Sequence, residues 1–176
     1  MKSQGVSYFR GSEDNVLERF YEGAQHFQAS TIVRITADCP LMDPLLIDEM
    51  LAEFFSENRF DYFSNTLERS YPRGMDIEIF SFRALEDAFK QAVNPYEKEH
   101  VTPYIYQHPD NYRLGSKRFS EDCSRWRWTV DTQEDFTLVA SLLAFLYPQK
   151  PFFSLNDLID CMQAHPSWEN INSHIA

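Results

Sequence analysis

Residues 31–44 have the sequence Thr-Ile-Val-Arg-Ile-Thr-Ala-Asp-Cys-Pro-Leu-Met-Asp-Pro, and this stretch decides the fold. The β-branched run 31–35 is typical of a strand that is covered on both faces in an α/β protein. Pro40 prevents a helix from starting at once, whereas Asp43 offers an N-cap that is followed by a proline. The stretch therefore predicts a buried strand, an acidic loop that carries Asp38, and then a helix.

The position of Asp38 favours a ligand site, because ligands of open α/β sheets bind beyond the carboxyl ends of the strands. The alternative is that Asp38 only caps a turn. Asp131 repeats the arrangement, since it follows the alternating run 125–130 and precedes a possible N-cap at Thr132. Two carboxylates, together with phosphates and waters, commonly hold Mg²⁺. The spacing of the two acids allows them to converge but does not require it.

Composition limits the function classes. The chain has 176 residues, which fit a single domain (1–176) with a real core, and a net charge of -11. Because no cluster of Lys and Arg appears, we expect no nucleic-acid partner. The three cysteines are odd in number and form no C-x-x-C pair, which argues against a disulfide framework or a zinc site. No apolar run approaches the length of a membrane span, so we expect a cytoplasmic protein without membrane contact.

Short β-like runs alternate with amphipathic stretches, which predicts an α/β fold, a three-layer α/β/α sandwich with a mostly parallel sheet. The predicted strands lie near residues 6–9, 31–36, 61–64, 76–80 and 126–130, with a weaker one at 112–115. The predicted helices begin after Ser12, Asp43, Ser81, Asn94, Thr132 and Ser154, and those after Ser12 and Asp43 run to about Phe27 and Asn58. We also expect one edge of the sheet to be open and to pair in a homodimer, which light scattering can test.

Asp76 and Glu78 alternate along one predicted strand, so they share one face and repel each other. A cation or water should therefore lie beside them. The alternative is a solvated edge strand. Arg34 interrupts an apolar strand, and we expect it to pair with Asp76 or Glu78. His100 on its own is more typical of a structural histidine than of a catalyst.

Five segments together resemble the SpsF-like cytidylyltransferase family, which is related more distantly to the CMP-sialate and CMP-Kdo synthetases. Their order and spacing are similar to those of the family, and the resemblance covers about residues 5–146. The segments are Phe-Arg-Gly-Ser-Glu-Asp-Asn-Val-Leu-Glu-Arg at 9–19, Val-Arg-Ile-Thr-Ala-Asp-Cys-Pro-Leu-Met-Asp-Pro at 33–44, Tyr-Pro-Arg-Gly-Met-Asp-Ile-Glu-Ile-Phe at 71–80, Glu-His-Val-Thr-Pro-Tyr-Ile at 99–105 and Arg-Trp-Thr-Val-Asp-Thr-Gln-Glu-Asp-Phe at 127–136.

The resemblance implies a Rossmann-like nucleotidyltransferase domain that uses CTP and an acidic or otherwise activated sugar and releases pyrophosphate. It implies that Asp38 and Asp131 are the catalytic acids and hold Mg²⁺. By the same motifs, the residues near the nucleotide are Arg10, Gly11 and Ser12. A looser transfer places on the sugar side Asn65, Gly74, Asp76, Glu78, Glu99, His100 and Thr102.

The resemblance also carries a departure at the front of the chain. Family members begin with a strand and a loop rich in Arg, Ser, Gly and Lys around the triphosphate, whereas the five glycines here, at positions 5, 11, 23, 74 and 115, are never clustered. We therefore expect an N-terminally truncated form of the domain that transfers cytidylate poorly by itself. The alternatives are a non-catalytic sugar- or partner-binding module and, more distantly, a metal-dependent phosphohydrolase.

Overall fold

The computed structural model describes residues 5–56 and 60–175. The elements are, in chain order, α1 (Val16–His26), β1 (Thr31–Arg34), α2 (Pro44–Ser56), β2 (Tyr62–Ser64), β3 (Glu78–Ser81), α3 (Phe82–Gln91), α4 (Pro95–His100), α5 (Pro103–Tyr106), β4 (Leu114–Ser116), α6 (Gln133–Leu146) and α7 (Leu155–Ala164). A 3-10 helix, Pro166–Ile171, follows α7. The predicted end of α2 at Asn58 lies outside the described residues.

Capping side chains start most helices where the sequence predicts. The predicted N-caps that accept a backbone N–H from the first turn are Asp43, Ser81, Asn94, Thr132 and Ser154. The prediction of Ser12 as the cap of α1 is wrong, because Asn15 is the N-cap and accepts from the N–H of Glu18. Ser12 instead accepts from the N–H of Asn15 at 3.0 Å. Asn and Ser are equally good caps, so composition alone does not choose between them.

The four strands form one sheet in the order β1-β3-β2-β4. The N–H of Asn65 donates to the carbonyl of Ile77, and the N–H of Ser81 donates to that of Asp61, a pattern that makes β2 and β3 antiparallel. The bonds that run from 61 to 113 and from 117 to 64 make β2 and β4 parallel. The sheet is therefore mixed rather than mostly parallel, since the 65–77 connection brings the chain back beside β2 in the reverse direction.

Two predicted strands are wrong. Residues 6–9 form no strand, and Val6 is 61% exposed, because these residues have no neighbouring strand to pair with among the described ones. Residues 126–130 contribute only an isolated parallel bridge between Arg73 and Arg127. Their backbone is nevertheless hydrogen bonded, since the N–H of Val130 donates to the carbonyl of Asp38 at 2.9 Å. The partners of this segment are turns, not a strand.

One compact unit comprises residues 5–33, 60–63 and 79–115. In it α1 packs against α3 and α4, and α3 packs against α5. The rings of Tyr21 and Phe89 stack with their centroids 4.2 Å apart. The core of this unit includes Leu17, Ile32, Tyr62, Phe80, Leu85 and Ile105.

A second compact unit comprises residues 34–56, 64–78 and 116–175. Here α6, α7 and the 3-10 helix pack against one another. Its fully buried side chains include Met50, Met75, Ile77, Trp128, Leu142 and Leu158. Asp38 and Asp131 both belong to this unit, so the predicted acidic site lies within a single body. Among the described residues, no helix combines the length and apolar character that crossing a membrane requires.

Candidate active site

The turn that follows β1 presents the Asp38 carboxylate. The turn closes through a bond of 3.3 Å from the Cys39 N–H to the Thr36 carbonyl. The Thr129 hydroxyl donates to Oδ2 of Asp38 at 3.0 Å, and the Cys39 thiol donates to Oδ1 at 3.6 Å. Asp38 is half-buried. Neutral donors from two parts of the chain therefore orient this carboxylate.

The environment of Asp38 keeps it charged. Burial alone would raise its pKa, but hydrogen bonds from Thr36, Thr129 and Cys39 outweigh burial, and the pKa lies below its ordinary value. Among the described residues, the groups that hydrogen-bond to this carboxylate are uncharged. An ionised, partly exposed acid without a cationic partner is a ready ligand for a cation from solution.

A backbone hydrogen bond joins the residue before Asp131 to this turn. This residue, Val130, donates its N–H to the carbonyl of Asp38. The Asp131 side chain is 52% exposed and forms an ion pair with Arg127, which precedes it by four residues. The structure thus brings the two predicted acids into one region, where one carboxylate has neutral partners and the other has an arginine.

Asp135 supports this region through its contacts, and the sequence does not predict it as part of the site. It is fully buried and accepts from the N–H groups of Asp131 and Thr132, both at 3.1 Å. It also accepts from Arg127 Nε at 3.1 Å and from Asn172 Nδ2 at 2.8 Å. Burial opposes its ionisation, but these donors and the Arg127 charge lower its pKa to about 2. The spacing Thr-x-x-Asp at 132–135, a variant of the capping box, is the local signal that could have found it.

Gly74 supports the same region by allowing a close approach of two backbones. Its φ of +97° lies in the left-handed region, and an added Cβ would lie 2.6 Å from the carbonyl carbon of Trp128. Bonds from the Arg73 N–H to Trp126 and from the Trp128 N–H to Arg73 run alongside. Gly74 therefore helps to place Thr129, the residue whose hydroxyl holds Asp38.

The other predicted residues of this unit have structural partners. Asn65 is fully buried and joins two backbone groups, donating to the Met75 carbonyl at 2.6 Å and accepting from the Ile77 N–H at 2.9 Å. Arg69 binds both carboxylate oxygens of Asp76, at 2.7 and 3.0 Å. These contacts fix the segment that leads from β2 into β3.

Glu78 is buried on β3, an inner strand, and forms an ion pair with Arg34. The predicted pairing of Arg34 with an acid is confirmed. The alternative of a solvated edge strand is wrong, because β1 and β2 flank β3 on both sides. Arginine side chains therefore offset the repulsion between Glu78 and Asp76.

Arg10, Gly11 and Ser12 belong to the first unit, in the segment before α1. The Arg10 guanidinium lies 5.8 Å from the centroid of the Tyr8 ring. The carbonyl of Ser12 accepts from the Arg19 side chain at 2.8 Å. This segment leaves the Arg10 side chain exposed, and its predicted role in binding the nucleotide stays a prediction.

Glu99, His100 and Thr102 also lie in the first unit, around the end of α4. Glu99 is exposed, the His100 ring lies 4.3 Å from that of Tyr96, and Thr102 is buried. Val101 between them has a φ of +73°, which strains a β-branched residue. Backbone strain of this kind is concentrated at functional sites, and the predicted role of this segment on the sugar side stays a prediction.

The carboxylate oxygens of Asp38 and Asp131 suit Mg²⁺. The other ligands of the ion would have to be phosphate oxygens or waters. Carboxylate oxygens are ligands that Mg²⁺ prefers, and it commonly uses one or two of them together with phosphates and waters. Within residues 5–56 and 60–175, no group of three or more His, Cys, Asp or Glu side chains is placed to hold a metal. A cation here would therefore depend on a phosphate-bearing substrate.

Comparisons with known proteins place the chain in a family. Residues 1–158 match the model of a family described as cytidylyltransferase. An uncharacterized protein of Methanocaldococcus jannaschii is 40% identical over 179 residues, which cover 98% of this chain and 70% of that protein. The spore coat polysaccharide biosynthesis protein SpsF of Bacillus subtilis is 34% identical over 168 residues, which cover 93% of this chain and 67% of SpsF.

A solved structure shows the same likeness. The structure of a cytidylyltransferase from Leptospira borgpetersenii is similar with a TM-score of 0.89 and 34% identity, over 95% of this chain and 70% of that one. The predicted α/β nucleotidyltransferase fold is thereby confirmed. The chain belongs to the cytidylyltransferase family as an SpsF-like member, and its role is nucleotidyl transfer.

Proposed function

We propose that the protein transfers cytidylate from CTP to a hydroxyl group of an acidic or otherwise activated sugar, in the synthesis of a surface polysaccharide or glycoconjugate. The family supports CTP as the nucleotide. The name of SpsF connects that relative with spore coat polysaccharide. We place the reaction in the cytoplasm, where CTP is made.

The observation that carries the proposal is the state of Asp38. Its carboxylate is ionised and half-buried, and hydrogen bonds from the uncharged side chains of Thr36, Thr129 and Cys39 orient it. Within the described part of the chain, the hydrogen bonds of Asp38 leave its negative charge without a neutralising side chain, whereas Arg69 offsets the charge of Asp76. Asp38 is therefore suited to a cation that arrives with the substrate.

In the proposed reaction the sugar oxygen forms a bond to the α-phosphorus, and the bond from that phosphorus to the oxygen bridging the β-phosphate breaks. Pyrophosphate leaves with the bonding electron pair, and the hydroxyl proton passes to solvent. Asp38 and Asp131 would hold Mg²⁺, which would polarise the α-phosphate and offset charge on the leaving group. Thr129 keeps Asp38 oriented, and Arg127 and Asp135 keep the turn of Asp131 in place.

The remaining proposed roles follow the family motifs. Arg10, Gly11 and Ser12 would contact the nucleotide, with the exposed Arg10 guanidinium offered to the triphosphate. Glu99, His100 and Thr102 would contact the sugar. Asn65, Gly74, Asp76 and Glu78 would act indirectly, since their structural contacts shape the backbone of the site.

The test is pyrophosphate release from CTP by the protein at its natural full length, with Mg²⁺ and a panel of acidic sugars. Asp38→Asn keeps the shape of the side chain but removes its charge. We expect this variant to lose about a hundredfold or more in rate, as is typical when a group that stabilises developing charge is removed.

Asp48→Asn is the matched control, because Asp48 is an exposed acid on α2 and loses the same charge. It should retain the wild-type rate. Turnover by Asp38→Asn equal to that of the control would reject the proposed site. Release that occurs with another nucleoside triphosphate in preference to CTP would reject the proposed nucleotide.

A further inference from the structure

Asn172 is buried although it lies near the end of the chain. It follows the 3-10 helix Pro166–Ile171 and is 3% exposed. It also lies beyond residues 1–158, the part that matches the family model. A buried amide needs partners for its donors, because a buried donor without a hydrogen bond destabilises the fold.

The partners of Asn172 lie in the region of the candidate site. Its Nδ2 donates to the carbonyl of Arg127 at 2.8 Å and to Oδ1 of Asp135 at 2.8 Å. Arg127 is 45 residues away in sequence and Asp135 is 37 residues away. One amide group thus joins the C-terminal segment to both members of a buried ion pair.

The ion pair leads directly to Asp131. The Arg127 guanidinium binds Asp135 through Nε at 3.1 Å, and its Nη2 is shared between Asp135 and Asp131. Asp135 also accepts from the N–H of Asp131 at 3.1 Å. The Asp131 side chain and its own backbone are therefore both attached to groups that Asn172 contacts.

A second contact from the same segment holds the same stretch. Glu169 on the 3-10 helix accepts from Trp126 Nε1 at 3.3 Å and forms an ion pair with Arg125 at 3.4 Å. The Arg125 guanidinium lies 4.3 Å from the Trp126 ring centroid. The C-terminal segment thus contacts residues 125–127 through both Glu169 and Asn172. These residues immediately precede the turn that presents Asp131.

We propose that Asn172 is a positioning residue that fixes Asp131 for metal binding through Arg127 and Asp135. This inference rests on the proposed function, in which Asp131 is a ligand of the metal. Without the amide, Asp135 loses one donor and the Arg127 carbonyl loses its hydrogen bond from Asn172. The guanidinium then has more than one arrangement against the two acids, and the Asp131 carboxylate is no longer held in one place.

The test uses Mn²⁺ as the probe for the metal, followed by electron paramagnetic resonance during titration of the full-length protein with CTP present. We expect Asn172→Ala to weaken Mn²⁺ binding about tenfold and Asn172→Asp to weaken it further, since a carboxylate there faces that of Asp135. Asn170→Ala, an exposed amide two residues earlier, is the matched control and should bind as the wild type does.

Two more variants separate positioning from stability and from the proposed function. Leu142→Ala removes a fully buried side chain of α6 and should lower stability without changing Mn²⁺ affinity. If Asp38→Asn weakens Mn²⁺ binding but Asn172→Ala does not, the inference is wrong and the proposed function stands. If Asp38→Asn binds Mn²⁺ as tightly as the wild type, the proposed function fails and the inference falls with it.

Exchange of the Arg127 Nε proton, followed by nuclear magnetic resonance, gives a readout without metal. The proton is hydrogen bonded to Asp135, and the side chain of Arg127 is 12% exposed, so exchange in the wild type should be slow. We expect Asn172→Ala to accelerate it at least tenfold and Asn170→Ala to leave it unchanged. Equal exchange rates in the wild type and Asn172→Ala would overturn the role assigned to Asn172.

Discussion

Asp61 and Asp135 are both buried acids that bind arginine, one in each compact unit, yet their surroundings differ. Asp61 accepts from Arg83 at 2.8 Å and from Arg113 at 3.2 Å, and the side chains of these arginines are 63% and 64% exposed. Asp135 accepts from Arg127, whose side chain is 12% exposed, and from the buried Asn172. Both acids have a lowered pKa despite burial, because hydrogen bonds and positive charge outweigh desolvation.

The difference lies in where each network ends. Around Asp61 the arginines reach solvent, so the cluster ties the start of β2 to α3 and to the segment before β4. Around Asp135 the side chain of Arg127 is mostly enclosed. Its Nη2 also binds Asp131, whose side chain is 52% exposed. A buried network with one exposed acid can transmit the position of its interior groups to a ligand, whereas the bonds of Asp61 join parts of the fold to one another.

The largest expected difference between the two networks follows from removing each acid in turn. Asp135→Ala should destabilise the protein by about 3–5 kcal/mol, because it leaves Arg127 enclosed with its charge poorly compensated. Asp61→Ala should cost about 1–2 kcal/mol, because its arginines are solvated once released and the main loss is the bond from the Arg113 N–H. Urea denaturation of both variants measures the two values, and equal losses would contradict the distinction.

A second prediction concerns pH. The pKa of Asp135 falls from 3.8 to about 2 on folding, so its contribution to stability is complete above the unfolded value and is lost as the pH falls through the folded one. The wild type should have a higher free energy of unfolding than Asp135→Asn at pH 5. This difference should decrease by about 2 kcal/mol between pH 5 and pH 2. Urea denaturation at a series of pH values checks this. A pH-independent difference would show that folding does not lower the pKa of Asp135, and a difference that grows as the pH falls would show that Asp135 is neutral in the fold.

Most local features of the fold could be predicted from the sequence. The caps Ser81, Asn94, Thr132 and Ser154 depend on residues within one helical turn. The pairing of Arg34 with Glu78 could be anticipated because a charge inside an apolar strand needs a partner. Asp38 could be predicted as a candidate ligand because the end of a buried strand is a general ligand position, and its role stays a prediction.

The missed features depend on distant contacts. The run 126–130 alternates as a strand does, but its backbone partners are turns at 38 and 73. Asp135 has the sequence appearance of an ordinary first-turn acid, and only the fold brings Asn172 to it from 37 residues away. The local sequence pattern cannot identify Asp135, because its role depends on a partner that is distant in sequence.

The smallest expected effect is that of salt on the stability of the two networks. At about 1 M salt the Debye length falls to about 3 Å, so ion pairs open to solvent lose most of their attraction while enclosed pairs lose little. The arginines of Asp61 are nearly two thirds exposed, so the destabilisation caused by Asp61→Asn should decrease by a few tenths of a kcal/mol between 0.05 M and 1 M NaCl. The destabilisation caused by Asp135→Asn should stay constant over that range, because Arg127 is enclosed. Denaturation in urea, which is uncharged, measures both; equal sensitivity to salt would mean that solvent reaches the Arg127 network and that it is not the enclosed support that positions Asp131.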